Sequence, residues 1–185
     1  DADESSPLYQ IETAVRDSGV DFVILRPTWF MQNFKGFLLD GIVRQGSIFV
    51  PAGDGKTGFV DVRDIASVAV KALTEPRHRG NTYVLTGGEA LSYYDAASVL
   101  SGASVCEVQY IALSDDAARD GMRAAGWPDP SVEYMIKLFS YVRAGYTEAL
   151  SGDVSKVLGR DPISFDQFAS DYAGVFQRRE VPAEC

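Results

Sequence analysis

The chain has 185 residues, 46% hydrophobic and 23% charged, which is the composition of an ordinary soluble globular domain large enough to bury one real core. Its formal net charge of -9 sets it against nucleic-acid partners, since its one dense basic cluster, Arg77, His78 and Arg79, is too short to make a phosphate-binding face. No apolar run approaches the ~18 residues of a membrane span, the N-terminus DADESSP lacks the pattern of a signal peptide, and a cytoplasmic setting is expected.

In chain order, Ser5 and Ser6 before Pro7 predict a helix over 5–18, with Leu8, Ile11 and Val15 on one face and Gly19 as its stop. The run DFVILRP then predicts a strand over 21–26, buried on both faces as in a parallel sheet. Helix followed by buried strand is half of a βαβ unit, so the expectation is a chain that begins in the middle of a larger sheet. The segment TWFMQNFKGFLLDGIVRQG is aromatic and helix-like, interrupted at Gly36, Gly41 and Gly46. SIFVP (47–51) and GFVDV (58–62) flank the turn Ala52 to Thr57 and are expected to pair as a hairpin. Asp61 then caps a helix through Leu73, with Asp64 at its N3 position.

TYVLTG predicts a strand over 82–86, Ser92 with Asp95 a capping box for a helix closing at Gly102, and CEVQYIAL (106–113) a further strand. From Ser114 only helices are expected: one to Gly126, one opening at Asp129 and Pro130, a short one to Gly159 and a last one from Ser164 with Gln167. The two cysteines, Cys106 within a strand-like run and Cys185 at the terminus, have neither metal nor redox spacing, and read as a buried small side chain and a terminal thiol.

GDGKTG at Gly53 to Gly58 spells G-x-G-x-x-G, the dinucleotide fingerprint. That chemistry needs a strand, the glycines and then a helix whose free N–H groups meet the pyrophosphate, whereas here the β-like FVDV follows. The expected role is therefore a turn, with glycine supplying positive φ. A P-loop would need glycine where Val50 stands. None of the nine tyrosines has a lysine four positions on; Tyr134 with Lys137 reads as a solvated helix face, and His78, the single histidine, as an exposed loop residue. No triad and no metal site is expected. The sharper candidate is RPTWFMQNF, where Trp29, Phe30, Met31 and Phe34 stand beside the polar Thr28, Gln32 and Asn33 just past a strand's carboxyl end. Such a set suits a flat apolar ring, and it equally suits packing between sheet and helices.

Across nearly its whole length the chain resembles the NmrA-like family of atypical short-chain dehydrogenases/reductases. The resemblance is carried by SGVDFVILRPTWFMQNF, VPAGDGKTGFVDVRDIA, GNTYVLTGGEALSYYDAA, the GWPDP turn and GDVSKVLGRDPISFDQFASDY, in family order. It implies a partial Rossmann-type parallel sheet over 1–113 and a mostly helical substrate-side region over 114–185. It also implies NADP or NAD as cofactor, contacted by Pro27 and Thr28, and a small quinone- or carbonyl-type substrate contacted by Trp29, Phe30 and Asn33. A non-catalytic NAD(P)-sensing or protein-binding module is the alternative that the same family offers.

Relatives carry a G-x-x-G-x-x-G turn in an N-terminal half of ~100 residues, which is not found in this sequence. They often place His or Lys about one turn ahead of Glu12, where Leu8 and Tyr9 stand here. The expectations are that this chain alone binds nicotinamide cofactor weakly or not at all, and that an exposed sheet edge favours self-association.

Overall fold

A computed structural model describes residues 7–104 and 106–177. Helix α1 spans Pro7–Asp17 and ends before Gly19, whose φ of 75° suits only glycine; Ser5 and Ser6, the expected start, lie outside the described residues. None of the residues of α1 is buried, and Leu8 and Ile11 remain 62% and 59% exposed, so its apolar stripe has no cover among the described residues.

Strand β1, Ile24–Pro27, runs parallel to β4, Thr82–Leu85, in the register Ile24↔Thr82 to Pro27↔Leu85. The ladder opens three residues later than the sequence suggests, and the strand is not buried on both faces, since Arg26 and Pro27 are exposed. With β4 as its one strand neighbour among the described residues, β1 can keep a charged side chain outward. Arg26 grips Glu12 of α1 through Nε to Oε1 at 2.8 Å and Nη2 to Oε2 at 2.5 Å.

A 3-10 turn at Met31–Lys35 follows, and then α2, Leu39–Gln45, which runs through Gly41 instead of breaking there. A Cβ at Gly41 would sit 2.7 Å from the Ser47 carbonyl, so that glycine serves the close approach of α2 to β2 (Ser47–Val50).

The expected hairpin does not form. β2 pairs in parallel with β6, Gln109–Ala112, while β3, Lys56–Thr57, pairs antiparallel with β5, Leu91–Ser92. Residues 58–62 make a single bridge, Phe30↔Val60. The Tyr110 hydroxyl donates to Val50 O (3.0 Å) and accepts from Ala52 N (3.2 Å), which turns the chain away from β2. Ile48 and Val50, both buried, then fit a strand inside the core and not the outer arm of a hairpin. Strand β6 starts only at Gln109, and Cys106 lies before it, half-buried; Cys185 lies outside the described residues.

Helix α3, Val62–Thr74, is capped by Asp61, whose side chain accepts from Arg63 N. Asp64 does not return to the cap but reaches across to the C-terminal region. His78 is also unlike its expected exposed state: it is 5% exposed, with Nδ1 at 2.8 Å from the Tyr83 hydroxyl, because the 3-10 turn at Pro76–His78 folds the ring against β4. Helix α4, Tyr93–Ala103, carries the Ser92/Asp95 capping box and runs one residue past Gly102. Helices α5 (Asp115–Ala124), α6 (Asp129–Arg143), α7 (Asp153–Leu158) and α8 (Phe165–Asp171) follow, with Ser114 and Ser164 capping α5 and α8 and a 3-10 turn at Ala173–Val175 after α8.

The larger core is aromatic, with Phe34, Phe59, Tyr93, Phe139, Phe165 and Phe168 all buried. Phe34 lies edge-on to Phe59 (5.2 Å) and to Phe165 (4.9 Å), the arrangement that ring quadrupoles favour. A smaller cluster, including Val60, Val68, Leu85 and Val154, joins α3, β4 and α7.

Candidate functional site

The parallel pair β1 and β4 ends at Pro27 and Leu85, and the chain leaves both carboxyl ends together, which is the side of an α/β sheet where ligands bind. The turn after β1 is stitched down by backbone bonds: Thr28 N donates to Leu85 O (3.0 Å), Val60 N to Trp29 O (2.9 Å) and Met31 N to Val60 O (3.0 Å). Of the five residues named from the sequence, Pro27 is exposed, and Thr28 is half-buried with its hydroxyl directed at the Gly58 and Leu85 carbonyls. Trp29 stacks on Phe139 of α6 with ring centroids 4.8 Å apart and tilted by 32°. Phe30 keeps 38% of its surface exposed, and Asn33 anchors the 3-10 turn, its carbonyl accepting from Gly36 and Leu38. All five thus share one turn, but Thr28 and Trp29 are engaged in holding it.

Gln32, which sequence reading placed only among the polar neighbours, fixes the turn from below. Its amide Nε2 donates to Asp61 Oδ1 at 3.0 Å, and its Oε1 accepts from Val62 N at 3.0 Å. Asp61 is fully buried and also binds the Arg63 guanidinium through Nε (3.0 Å) and Nη2 (2.8 Å). Burial, the largest influence, pushes the Asp61 carboxyl up, but the Arg63 guanidinium and N–H together with the Gln32 amide outweigh it and hold the group below its ordinary range. Arg63 continues to Asp171 of α8 at 2.6 Å.

Two clefts flank this aromatic layer. The first, about 540 Å³, opens at the carboxyl ends of β1 and β4 and is lined by Met31, Gly87, Glu89, Ser151, Asp161 and Phe165 among others. The second, about 440 Å³, opens beyond the ends of β2 and β6, and its walls include Phe37, Phe49, Met122, Trp127, Met135 and Phe139. Of these residues, sequence reading placed only Met31 in a candidate site, within RPTWFMQNF. The others come from segments far apart in the chain, so no local signal could have gathered them into one cleft.

The other ionisable candidates are committed to structure. The Glu12 carboxyl is lowered chiefly by its hydrogen bond from Arg26, and burial pushes the phenol of Tyr93 well above the usual tyrosine range. Tyr134 and Lys137 sit on the exposed side of α6. The glycine-rich turn is packed, not open: a Cβ at Gly55 would lie 2.3 Å from the Val142 carbonyl of α6, and α3 starts only after Asp61. No helix N-terminus follows the glycines directly to meet a pyrophosphate. Among the described residues no group of three or more His, Cys, Asp or Glu is placed to hold a metal ion, and no helix is long and apolar enough to cross a membrane.

The model of the NmrA-like family matches residues 7–168. The chain is 35% identical over 162 residues to an NAD(P)H azoreductase of Xenophilus azovorans, covering 88% of this chain and 56% of that protein. It is 34% identical to an agroclavine dehydrogenase of Claviceps fusiformis, covering 88% and 57%. Among solved structures, an NADPH-dependent quinone oxidoreductase from Escherichia coli superposes with a TM-score of 0.79 at 24% identity, covering 88% of this chain and 59% of that one. A triphenylmethane reductase of Citrobacter complexed with NADP(H) gives 0.73 at 25%, covering 88% and 56%. The chain therefore spans somewhat more than half the length of these relatives.

Proposed function

Because the chain belongs to the NmrA-like family, we propose that it forms the acceptor side of an NAD(P)H-dependent oxidoreductase that passes hydride to a quinone- or carbonyl-type small molecule. The observation that carries this reading is the turn Pro27 to Asn33, which leaves the carboxyl end of a parallel strand and exposes Phe30 beside the Trp29–Phe139 stack. The azoreductase and dehydrogenase relatives, each about one-third identical, support the same class of chemistry.

When bound, a reduced nicotinamide supplies the hydride, and the hard chemistry is the cofactor's. Pro27 and Thr28 are the residues here that would border its ring; Trp29, Phe30 and Asn33 would face the acceptor. The stitched backbone and the Gln32–Asp61 contact hold that turn in one shape, so little ordering remains to be done on binding. A proton must join the hydride on the acceptor, and neither Tyr93, buried, nor Glu12, paired with Arg26, is disposed to give it. An acceptor whose reduced oxygen takes its proton from water, such as a quinone, fits this turn better than one needing a positioned acid.

Since the one G-x-G-x-x-G is closed by α6, a dinucleotide needs the remainder of a complete fold for its pyrophosphate. A chimera that joins residues 7–177 to the N-terminal half of the azoreductase relative tests the proposal. It is expected to oxidise NADPH in the presence of a naphthoquinone, while the 185 residues alone show no saturable NADPH binding between about 1 μM and 1 mM. A chimera that binds NADPH but turns over no quinone, azo or carbonyl acceptor would replace the enzyme by a redox sensor.

A further inference from the structure

The cleft bounded by α2, α5 and α6 is not accounted for by the turn after β1. It lies at the carboxyl ends of the second parallel pair: Val50 and Pro51 leave β2 and Leu113 leaves β6 at its rim. Its volume of about 440 Å³ is that of a small-ligand pocket. Phe139 and Leu38 are buried at its base, whereas Phe37 keeps 42% of its surface exposed and meets Trp127 edge-on at 5.9 Å. Met122 and Met135, flexible and polarisable, line it as well. On α5 the small residues Ala118 and Gly121 face the cleft, and a Cβ at Gly121 would meet nothing within 4 Å. The space there is open.

Charge narrows the ligand. Asp40 is the one charged residue of the lining, and its carboxylate is bound by Arg44 Nε at 2.6 Å on the solvent side of α2. The walls therefore offer no uncompensated charge to an ionic ligand, which would lose its hydration without replacement.

We propose that this cleft is a binding site for an uncharged, flat aromatic molecule of two or three fused rings, distinct from the cleft at the ends of β1 and β4 and occupied without any nicotinamide cofactor. The ring lies among Phe37, Trp127 and Phe139, the two methionines closing on its edges. Trp29 backs Phe139 at 4.8 Å, so occupancy is felt at the turn after β1 through one shared aromatic contact.

The test uses the 185-residue chain and 2-naphthol as the neutral probe, with naphthalene-2-sulfonate as its charged counterpart. Calorimetry is expected to give saturable one-to-one binding of 2-naphthol and at least tenfold weaker binding of the sulfonate, and the Trp127 indole N–H resonance should shift with occupancy. Gly121→Leu fills the open space and is expected to weaken 2-naphthol binding at least tenfold with an unchanged Tm; Ala125→Leu, one turn on, serves if that variant fails to fold. Ser155→Leu, at a residue that lines the cleft at the ends of β1 and β4, should leave binding as it is. Absence of saturable binding below 1 mM, equal binding of the sulfonate, or loss of binding in Ser155→Leu but not in Gly121→Leu overturns the assignment. Because no cofactor is present, these outcomes are independent of whether the chimera turns over.

Discussion

The Arg160 guanidinium closes on the fully buried carboxylate of Asp64 at 2.6 Å, joining α3 to the segment ahead of α8 across almost a hundred residues of sequence. The other carboxylate oxygen accepts from Ile163 N at 2.8 Å, so the buried charge is met on both sides. Arg160→Met removes the counter-charge while Asp64 stays buried, and is expected to destabilise the chain by about 3 kcal/mol, because the penalty is that of an uncompensated interior charge. Urea titration reads it. A loss below 0.5 kcal/mol would mean that solvent reaches Asp64.

Asp61 sets an acid limit to stability. Its carboxyl is held below the ordinary value of 3.8 in the folded chain. A group so lowered contributes stability that is present above about pH 4 and is lost as pH falls through the folded value. The urea midpoint of the wild type should thus drop more steeply between about pH 4 and 2 than that of Asp61→Asn, whose amide has nothing to titrate. Parallel slopes would assign the acid limit to other carboxylates.

Trp29 carries both packing and, as proposed, the acceptor. Its stack on Phe139 predicts that Trp29→Ala lowers stability by about 2 to 3 kcal/mol, somewhat less than deletion of a wholly buried aromatic ring. Trp29→Phe keeps a ring on Phe139 and should hold Tm nearly constant while lowering kcat/KM of the complete enzyme. Melting curves beside kinetics separate the two roles: unchanged kcat/KM in Trp29→Phe leaves packing as the sole one.

The turn at Gly53 to Gly58 can be probed at two positions with different physics. Gly53 has φ of 55°, so Gly53→Ala should cost about 1 kcal/mol of backbone strain. Gly55→Ala drives a methyl into the Val142 carbonyl and should cost about 3 kcal/mol. Neither should change NADPH affinity in the chimera at temperatures where it is folded. A loss of affinity with an unchanged Tm would make this turn a phosphate cradle after all.

The outer edge of β1 has no strand partner among the described residues, and Leu8 and Ile11 of α1 lie exposed. Such an edge with an apolar neighbour pairs with whatever strand it meets. Sedimentation of the 185-residue chain is expected to show concentration-dependent self-association that Ile11→Glu reduces. A monomer at all concentrations would remove that proposal.

What the residues declared by themselves is local. The caps of α3, α4 and α8 at Asp61, Ser92 and Ser164 stand where sequence reading put them, because a cap is made by groups within three residues of each other. The parallel pairing was legible for a related reason, since apolar strands alternating with periodic helices leave few topologies open, whereas the family was legible only through the resemblance of whole segments in order. Tertiary structure decided whatever depended on distant partners. SIFVP and GFVDV look like two arms of a hairpin, yet Tyr110, about sixty residues away, takes the end of β2 and sends the turn beneath α6. Asp64 reads as a capping residue until Arg160 arrives, and His78 as a loop residue until Tyr83 buries it. Both clefts are of this kind, since their walls exist only once α6 and the segment before α8 have packed onto the strands' carboxyl ends. A short-range pattern records which hydrogen bonds a segment can make with itself; which side chains meet across a cleft is set by burial of the aromatic core, to which no single segment holds the key.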